Sequence, residues 1–323
     1  MKIILTGATG FLGRETALAA VRRGHQVIAI GGSRMPEIPG VGRTLQADLT
    51  EPQQAIETLL LNEFPDAIIN CAGVPTMEAC DAAPEKAEKL NAGLPRFLAM
   101  MANHLSGRLV HVSTDMVFDG DKGNYEHTDK PIPLNLYGQT KLMAEKDVLQ
   151  FGKNHAVALR VPVISGNTPA GDKSLHERLL VQWSAGKTTP LFTDEIRQPV
   201  SASNLGDVLV ELCERSNLSG VYHWAGAEAL SRHEIGVRIA KHFGLAPEKF
   251  ITPTTHAAAG EKAARRARDL SFILHPLQGK LKTRVQSFEE ILSEMQVPAQ
   301  CAVWHAEQTG RTVVRRLVKG VDF

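Results

Sequence analysis

The sequence predicts an α/β protein: a parallel, doubly wound sheet carrying a smaller, discontinuous lobe. Two observations support this. Short, continuously apolar runs alternate with amphipathic stretches through the first half of the chain, the pattern of strands buried on both faces by crossover helices. Gly7, Gly10 and Gly13 fall between the first apolar run and the first amphipathic stretch, where such a sheet turns a helix N-terminus toward phosphate.

In chain order, the pattern predicts a strand over 2–5, a helix over 11–23 and a strand over 25–30. A third strand precedes Ala47. A helix follows over 52–62, a strand over 67–70, a helix over 83–104 and a strand over 108–112. A helix over 136–151 and a strand over 156–161 complete the Rossmann-like sheet. Beyond it, helices are expected over 175–185, 204–215, 231–243 and 287–295, with a strand over 220–224. Ser231 with Glu234, and Ser287 with Glu290, read as capping boxes. The expected division is a dinucleotide domain over 1–165, rejoined by 197–226. A substrate lobe follows from 166–196 and 227–296, and 297–323 form a polar, basic tail without an assigned role. The alanine- and arginine-rich segment 257–268 reads as a solvated helix or loop rather than a phosphate-binding patch, though Arg265, Arg266 and Arg268 could serve as one.

Composition narrows the function classes. Lys and Arg number 36 against 35 Asp and Glu, a formal charge of +1, so neither nucleic acid nor an anionic membrane is implied as a partner. The four cysteines, at 71, 80, 213 and 301, form no C-x-x-C pair, which argues against a disulfide framework or a metal site. The N-terminus enters a strand at once, and no apolar run approaches a membrane span. The expectation is a cytoplasmic protein.

The glycine loop Thr6-Gly7-Ala8-Thr9-Gly10-Phe11-Leu12-Gly13 has the spacing of a dinucleotide site. Gly7 permits the turn, Gly10 lets backbone approach a pyrophosphate, and Gly13 lets helix and strand pack closely. An acid at the end of the second strand would favour NAD. Here Ser33 and Arg34 stand instead and suit a 2′-phosphate, so NADP(H) is preferred over NAD(H). Asp48 and Leu49 could flank the adenine. Cys71, Ala72 and Gly73 bring small residues close to a ribose, Cys71 as a packing residue rather than a nucleophile.

The chemistry-bearing pattern is Ser113-Thr114-Asp115 followed by Tyr137-Gly-Gln-Thr-Lys141. On a helix, Tyr137 and Lys141 share one face. The Lys141 ammonium should pull the tyrosine pKa down toward the working range. Ser113 or Thr114 can hydrogen-bond the same substrate oxygen. The set suits proton transfer to a carbonyl oxygen as a hydride reaches its carbon.

Together, TGATGFLG (6–13), INCAG (69–73), STDMVFDG (113–120), PLNLYGQTKLMAEK (133–146), LRVPVISG (159–166), RQPV (197–200), GVYHWAG (220–226) and ARDLSFIL (267–274) resemble the extended short-chain dehydrogenase/reductase superfamily. Within it they look most like the dTDP-4-dehydrorhamnose reductase branch. They are also similar to the regulatory beta subunit of methionine adenosyltransferase. The reductase resemblance implies an NADPH-dependent reduction of a nucleotide-linked 4-keto-6-deoxy sugar, with Thr114, Tyr137 and Lys141 as catalytic triad. It implies phosphate contacts from the 7–13 loop, a nicotinamide border at Val163, and Ser113 beside the cofactor. Asp115 is a second-layer or loop-fixing group; Arg197 and Trp224 are candidate substrate contacts, and a homodimer through surface helices is open. The beta-subunit resemblance implies instead an NADP-binding regulatory subunit; a nucleotide-sugar epimerase or dehydratase ranks third. One departure stands in segment 125–129: His127 lies where the relatives carry Glu, and Glu126 could substitute after a local shift.

Overall fold

A computed structural model describes residues 1–51 and 55–310. Its centre is a seven-stranded parallel sheet. The strands are β1 (Lys2–Thr6), β2 (Gln26–Gly31), β3 (Arg43–Gln46), β4 (Ala67–Asn70), β5 (Arg108–Thr114) and β6 (Ala156–Val161), with Gly220–His223 at the far edge. Their order is Gly220–His223, β6, β5, β4, β1, β2, β3, the doubly wound order with one added strand.

Both faces are covered, which explains the unbroken apolar runs. On one face, α1 (Phe11–Arg22) and α8 (Ala202–Glu214) pack on Ile3, Leu5, Val110 and Leu159. On the other, α2 (Ala55–Glu63), α5 (Leu94–His104) and α6 (Leu136–Gly152) cover Ile4, Ile28, Ile68 and Leu109. A separate apolar cluster joins α7 (Leu175–Ser184), α9 (Arg232–His242) and helix Phe288–Glu294 around Trp183, Ile239 and Phe288. Both expected capping boxes form, Ser231 with Glu234 and Ser287 with Glu290.

Some elements differ from the sequence reading. The stretch read as one helix over 83–104 divides into α4 (Pro84–Glu88), a π turn over Lys89–Gly93, and α5, with α3 (Met77–Ala82) preceding them. Pro95 has no N–H to donate to the carbonyl four residues back, at Asn91, and a π turn absorbs such a break. In the tail, helix Ala302–Thr309 tucks His305 into the protein, its Nε2 2.7 Å from the Phe243 carbonyl. Residues 52–54 of the second expected helix and 311–323 of the tail lie outside the described residues.

Candidate active site

The catalytic-type residues sit at the carboxyl edge of β5 and the start of α6. Side chains alternate along a strand, and this separates Ser113 from Thr114. Ser113 donates to Glu145 behind the site. Thr114 faces the Tyr137 hydroxyl, and its Oγ1 lies 3.1 Å from Asp115 Oδ1. The hydroxyl partner of Tyr137 is therefore Thr114, and Ser113 serves the network beneath.

Gly138, next to Tyr137, explains how α6 comes so near. A Cβ there would collide with the Met116 carbonyl and approach the Pro133 side chain at 2.9 Å. Asn135 caps the helix, accepting from the Gly138 N–H at 2.9 Å. The glycine lets the first turn press against the end of β5, which brings Tyr137 to Thr114.

Burial sets the electrostatics, and it reverses one expectation. The Lys141 ammonium was expected to lower the Tyr137 pKa. Instead burial, reinforced by Asp115 and Cys80 and opposed by the Thr114 hydroxyl, pushes Tyr137 up to about 12. Burial likewise brings Lys141 down to about 8, against the pull of Glu145. Lys141 Nζ donates to the Val112 carbonyl at 2.5 Å. At neutral pH the phenol is protonated and can act as an acid. Asp115 is raised by burial, against the opposing charge of Arg197.

Sequence reasoning missed the layer beneath the triad. Glu145 forms a buried ion pair with Arg160 at 2.7 Å and accepts the Ser113 hydroxyl. Asn91, in the π turn, accepts from the Val74 N–H at 2.8 Å and donates to Thr140 Oγ1 at 3.2 Å, tying that turn to α6. His111 faces Lys141 Nζ at 3.4 Å. Polar residues inside apolar segments were the available signal.

Turning to the cofactor loop, Gly7 has φ +73°, and a Cβ there would stand 2.5 Å from the Ala72 nitrogen. At Gly13 a Cβ would strike the Gly7 carbonyl. No side chain caps the N-terminus of α1 at Gly10, so its first N–H groups are available to a phosphate. Phe11 packs beside Gly166, and the Thr9 methyl lies beside Gly31. Leu12, Leu49 and Ala72 are buried. Gly73 lies at the β4 end opposite Asn91. Ser33 and Arg34 are exposed beyond β2. Asp48 is exposed and accepts from the Thr50 N–H at 2.8 Å. Burial pushes the Cys71 thiol up to about 12, which makes it inert. Val163 is half-buried after β6.

Two expected substrate contacts are corrected. Trp224 is fully buried, and its Nε1 donates to Asn204 Oδ1 at 2.8 Å; it is a core residue. Arg197 directs its guanidinium to the backbone carbonyls of Ile196, Ala267 and Arg268 at 2.6, 2.9 and 3.1 Å. It pins segment 267–268 rather than presenting donors to a ligand. That segment is not simply solvated: Arg266 reaches the buried carboxylate of Glu195, which also meets Arg232 at 3.2 Å and Arg197 at 3.5 Å. Three guanidiniums thus meet one carboxylate, with Asp115 and Asp269 also acting on Arg197. Beside them a cleft of about 510 Å³ is lined by Asp119, Asp121, Leu134, His256, Arg266 and Arg268. His127 stacks on Tyr222, ring centroids 6.2 Å apart, and Glu126 is exposed.

The sequence profile of the RmlD substrate binding domain family matches residues 1–300. The chain belongs to this family. It is 30% identical over 303 residues to the probable low-salt glycan biosynthesis reductase Agl14 of Haloferax volcanii, covering 92% of this chain and 97% of that protein. It is 33% identical over 266 residues to methionine adenosyltransferase 2 subunit beta of Xenopus laevis, covering 80% of this chain and 77% of that one. Among solved structures, a hypothetical dTDP-4-dehydrorhamnose reductase from Sulfolobus tokodaii aligns with TM-score 0.77 at 30% identity, over 92% of this chain and all (100%) of that one. The Bacillus anthracis dTDP-4-dehydrorhamnose reductase in complex with NADP shares the fold, with TM-score 0.76 at 22% identity over 90% of this chain and 97% of that one. Among the described residues, no helix is long and apolar enough to cross a membrane.

Proposed function

We propose that this protein is an NADPH-dependent reductase of a nucleotide-linked 4-keto-6-deoxy sugar. In this reading, 1–165 with 197–226 hold the dinucleotide, and 166–196 with 227–296 hold the sugar nucleotide. One observation carries the reading. A protonated Tyr137 faces Thr114, with Lys141 one turn along the same helix, on the sheet edge that also carries the uncapped α1 N-terminus.

The loop residues fit a dinucleotide. Gly7 and Gly13 have no space for a Cβ, and the free N–H groups of α1 suit a pyrophosphate. Arg34, exposed beyond β2, would pair with a 2′-phosphate. Bound there, the reduced nicotinamide would supply a hydride. The protein's own residues manage the oxygen. Thr114 and Tyr137 would orient the substrate carbonyl, and Tyr137 would give its proton to the developing alkoxide. Lys141, with its pKa near 8, can return a proton to the tyrosinate at physiological pH. The cleft beside Arg266 and Arg268 suits the diphosphate of a nucleotide sugar.

The similarity to a methionine adenosyltransferase beta subunit favours a second reading, a nucleotide-binding regulatory subunit of another enzyme. A cofactor-oxidation screen across nucleoside-diphosphate 4-keto sugars separates the two. NADPH consumption by wild type, reduced about a hundredfold or more in Tyr137→Phe, supports the reductase. Wild-type turnover no greater than that of Tyr137→Phe rejects it.

A further inference from the structure

Behind Lys141 lies a hydrogen-bond chain whose directions can be assigned one by one. Asn70 Oδ1 receives the Ala72 backbone N–H at 3.0 Å, and a backbone N–H can only donate. The Thr6 hydroxyl donates to the same oxygen at 2.7 Å. These two donors fix the orientation of the Asn70 amide, placing its oxygen toward Thr6 and Ala72. Its Nδ2 therefore points at His111 Nδ1, 3.1 Å away, and Nδ2 has only hydrogens to offer. His111 Nδ1 must accept. Burial, together with the Lys141 charge, holds the His111 pKa well below 6.5, so the ring is neutral. Its single proton is then on Nε2, and Nε2 faces Lys141 Nζ at 3.4 Å.

An ammonium at that place would set donor against donor. A free amine has a lone pair that accepts the Nε2–H while it donates to the Val112 carbonyl. We propose that the Thr6–Asn70–His111 chain is a positioning device for Lys141, presenting a fixed N–H to Nζ and thereby favouring the amine over the ammonium. His111 is a positioning residue: it acts through Lys141, not on the substrate. The role in turnover rests on the reductase reading; the effect on Lys141 does not.

The other groups facing Lys141 do not supply this effect. Glu145, on the same helix, pulls the other way, toward the ammonium. Cys71 and Cys80 are buried thiols pushed up by burial and stay neutral. Tyr137 stays protonated to about 12. His111, on the neighbouring strand, is the group that opposes the charge by contact. In a reductase this matters because a lysine that exchanges its proton near working pH can recharge the tyrosine after each turnover.

The test reads Lys141 directly in the apoprotein. With [ε-13C]lysine label, its resonance is identified by its loss in Lys141→Arg and followed against pH. His111→Asn keeps an oxygen where Nδ1 sits, for Asn70, but removes the donor facing Lys141. His111→Gln places an amide N–H near the Nε2 position. The expected midpoint is about 8 in wild type, about one pH unit higher in His111→Asn, and near the wild-type value in His111→Gln. Equal midpoints in wild type and His111→Asn overturn the proposal, as do equal upward shifts in both variants, which would indicate packing alone. Wild type gives a check needing no variant: 15N shifts should place the His111 proton on Nε2, and a proton on Nδ1 overturns the chain. Absence of turnover on nucleotide sugars would reject the reductase reading and leave these titrations untouched.

Discussion

Replacing Lys141 with methionine should change how stability depends on pH. Lys141 is 5% exposed, and burial lowers its pKa from 10.5 to about 8. Below pH 8 the lysine is charged in both folded and unfolded chains, and the full cost of burying the charge is present. Between the folded and unfolded pKa values, the unfolded chain holds a proton that the folded one has released. Stability therefore rises with pH across that window. A fall from 10.5 to about 8, at ~1.4 kcal/mol per pH unit, amounts to about 3 kcal/mol. Lys141→Met also leaves the Val112 carbonyl and the His111 ring without their partner, but that penalty does not depend on pH. The assay is urea denaturation of wild type and variant apoprotein at matched pH values from about 7 to 10.5. Wild type should gain about 3 kcal/mol on the variant across the range. A difference that stays flat, or moves the other way, refutes the claim that burial sets the state of Lys141.

Two further outcomes follow from the same geometry. Gly138→Ala places a Cβ against the Met116 carbonyl and should cost about 1–3 kcal/mol in denaturant unfolding. It should also lower kcat by about a hundredfold through displacement of Tyr137. Equal kcat in wild type and variant would remove Gly138 from the account. Arg34→Ala should reduce the affinity ratio of NADPH over NADH, measured by fluorescence titration; an unchanged ratio would rule out a 2′-phosphate contact.

The inner strands were legible because a parallel sheet buried on both faces forces continuous apolar runs, as in β1, β2, β4 and β6, whereas the edge strand β3 reads Arg-Thr-Leu-Gln and shows no such run. Their ends moved by a residue or two, as at β5, where the ladder extends through Thr114. The π turn at Lys89–Gly93 was not legible from periodicity, since a single wide turn between two helical stretches is too short to show a period of its own; Pro95 was its visible cause. The two-residue strands of the second lobe, such as Ile196–Arg197, are too short to show a period. At the site, Tyr137, Lys141 and Thr114 were readable as residue types at known spacing. Their protonation was not, because burial outweighs the lysine–tyrosine pairing that spacing suggests. Arg197 and Trp224 read as ligand contacts until their partners, three backbone carbonyls and Asn204, were visible. His111 read as one residue of an apolar strand; its meaning came only from Asn70 on β4 and Lys141 on α6.

Hydride transfer to a sugar carbon tests the central claim most directly. NADPH carrying deuterium on the transferred face of the nicotinamide, incubated with a nucleoside-diphosphate 4-keto-6-deoxy sugar, should give a product with a single deuterium at the former carbonyl carbon, read by mass spectrometry and NMR. The label should appear about a hundredfold or more slowly with Tyr137→Phe. No deuterium in any sugar of the panel from wild-type protein that binds NADPH would contradict the account and favour a regulatory role for the same fold.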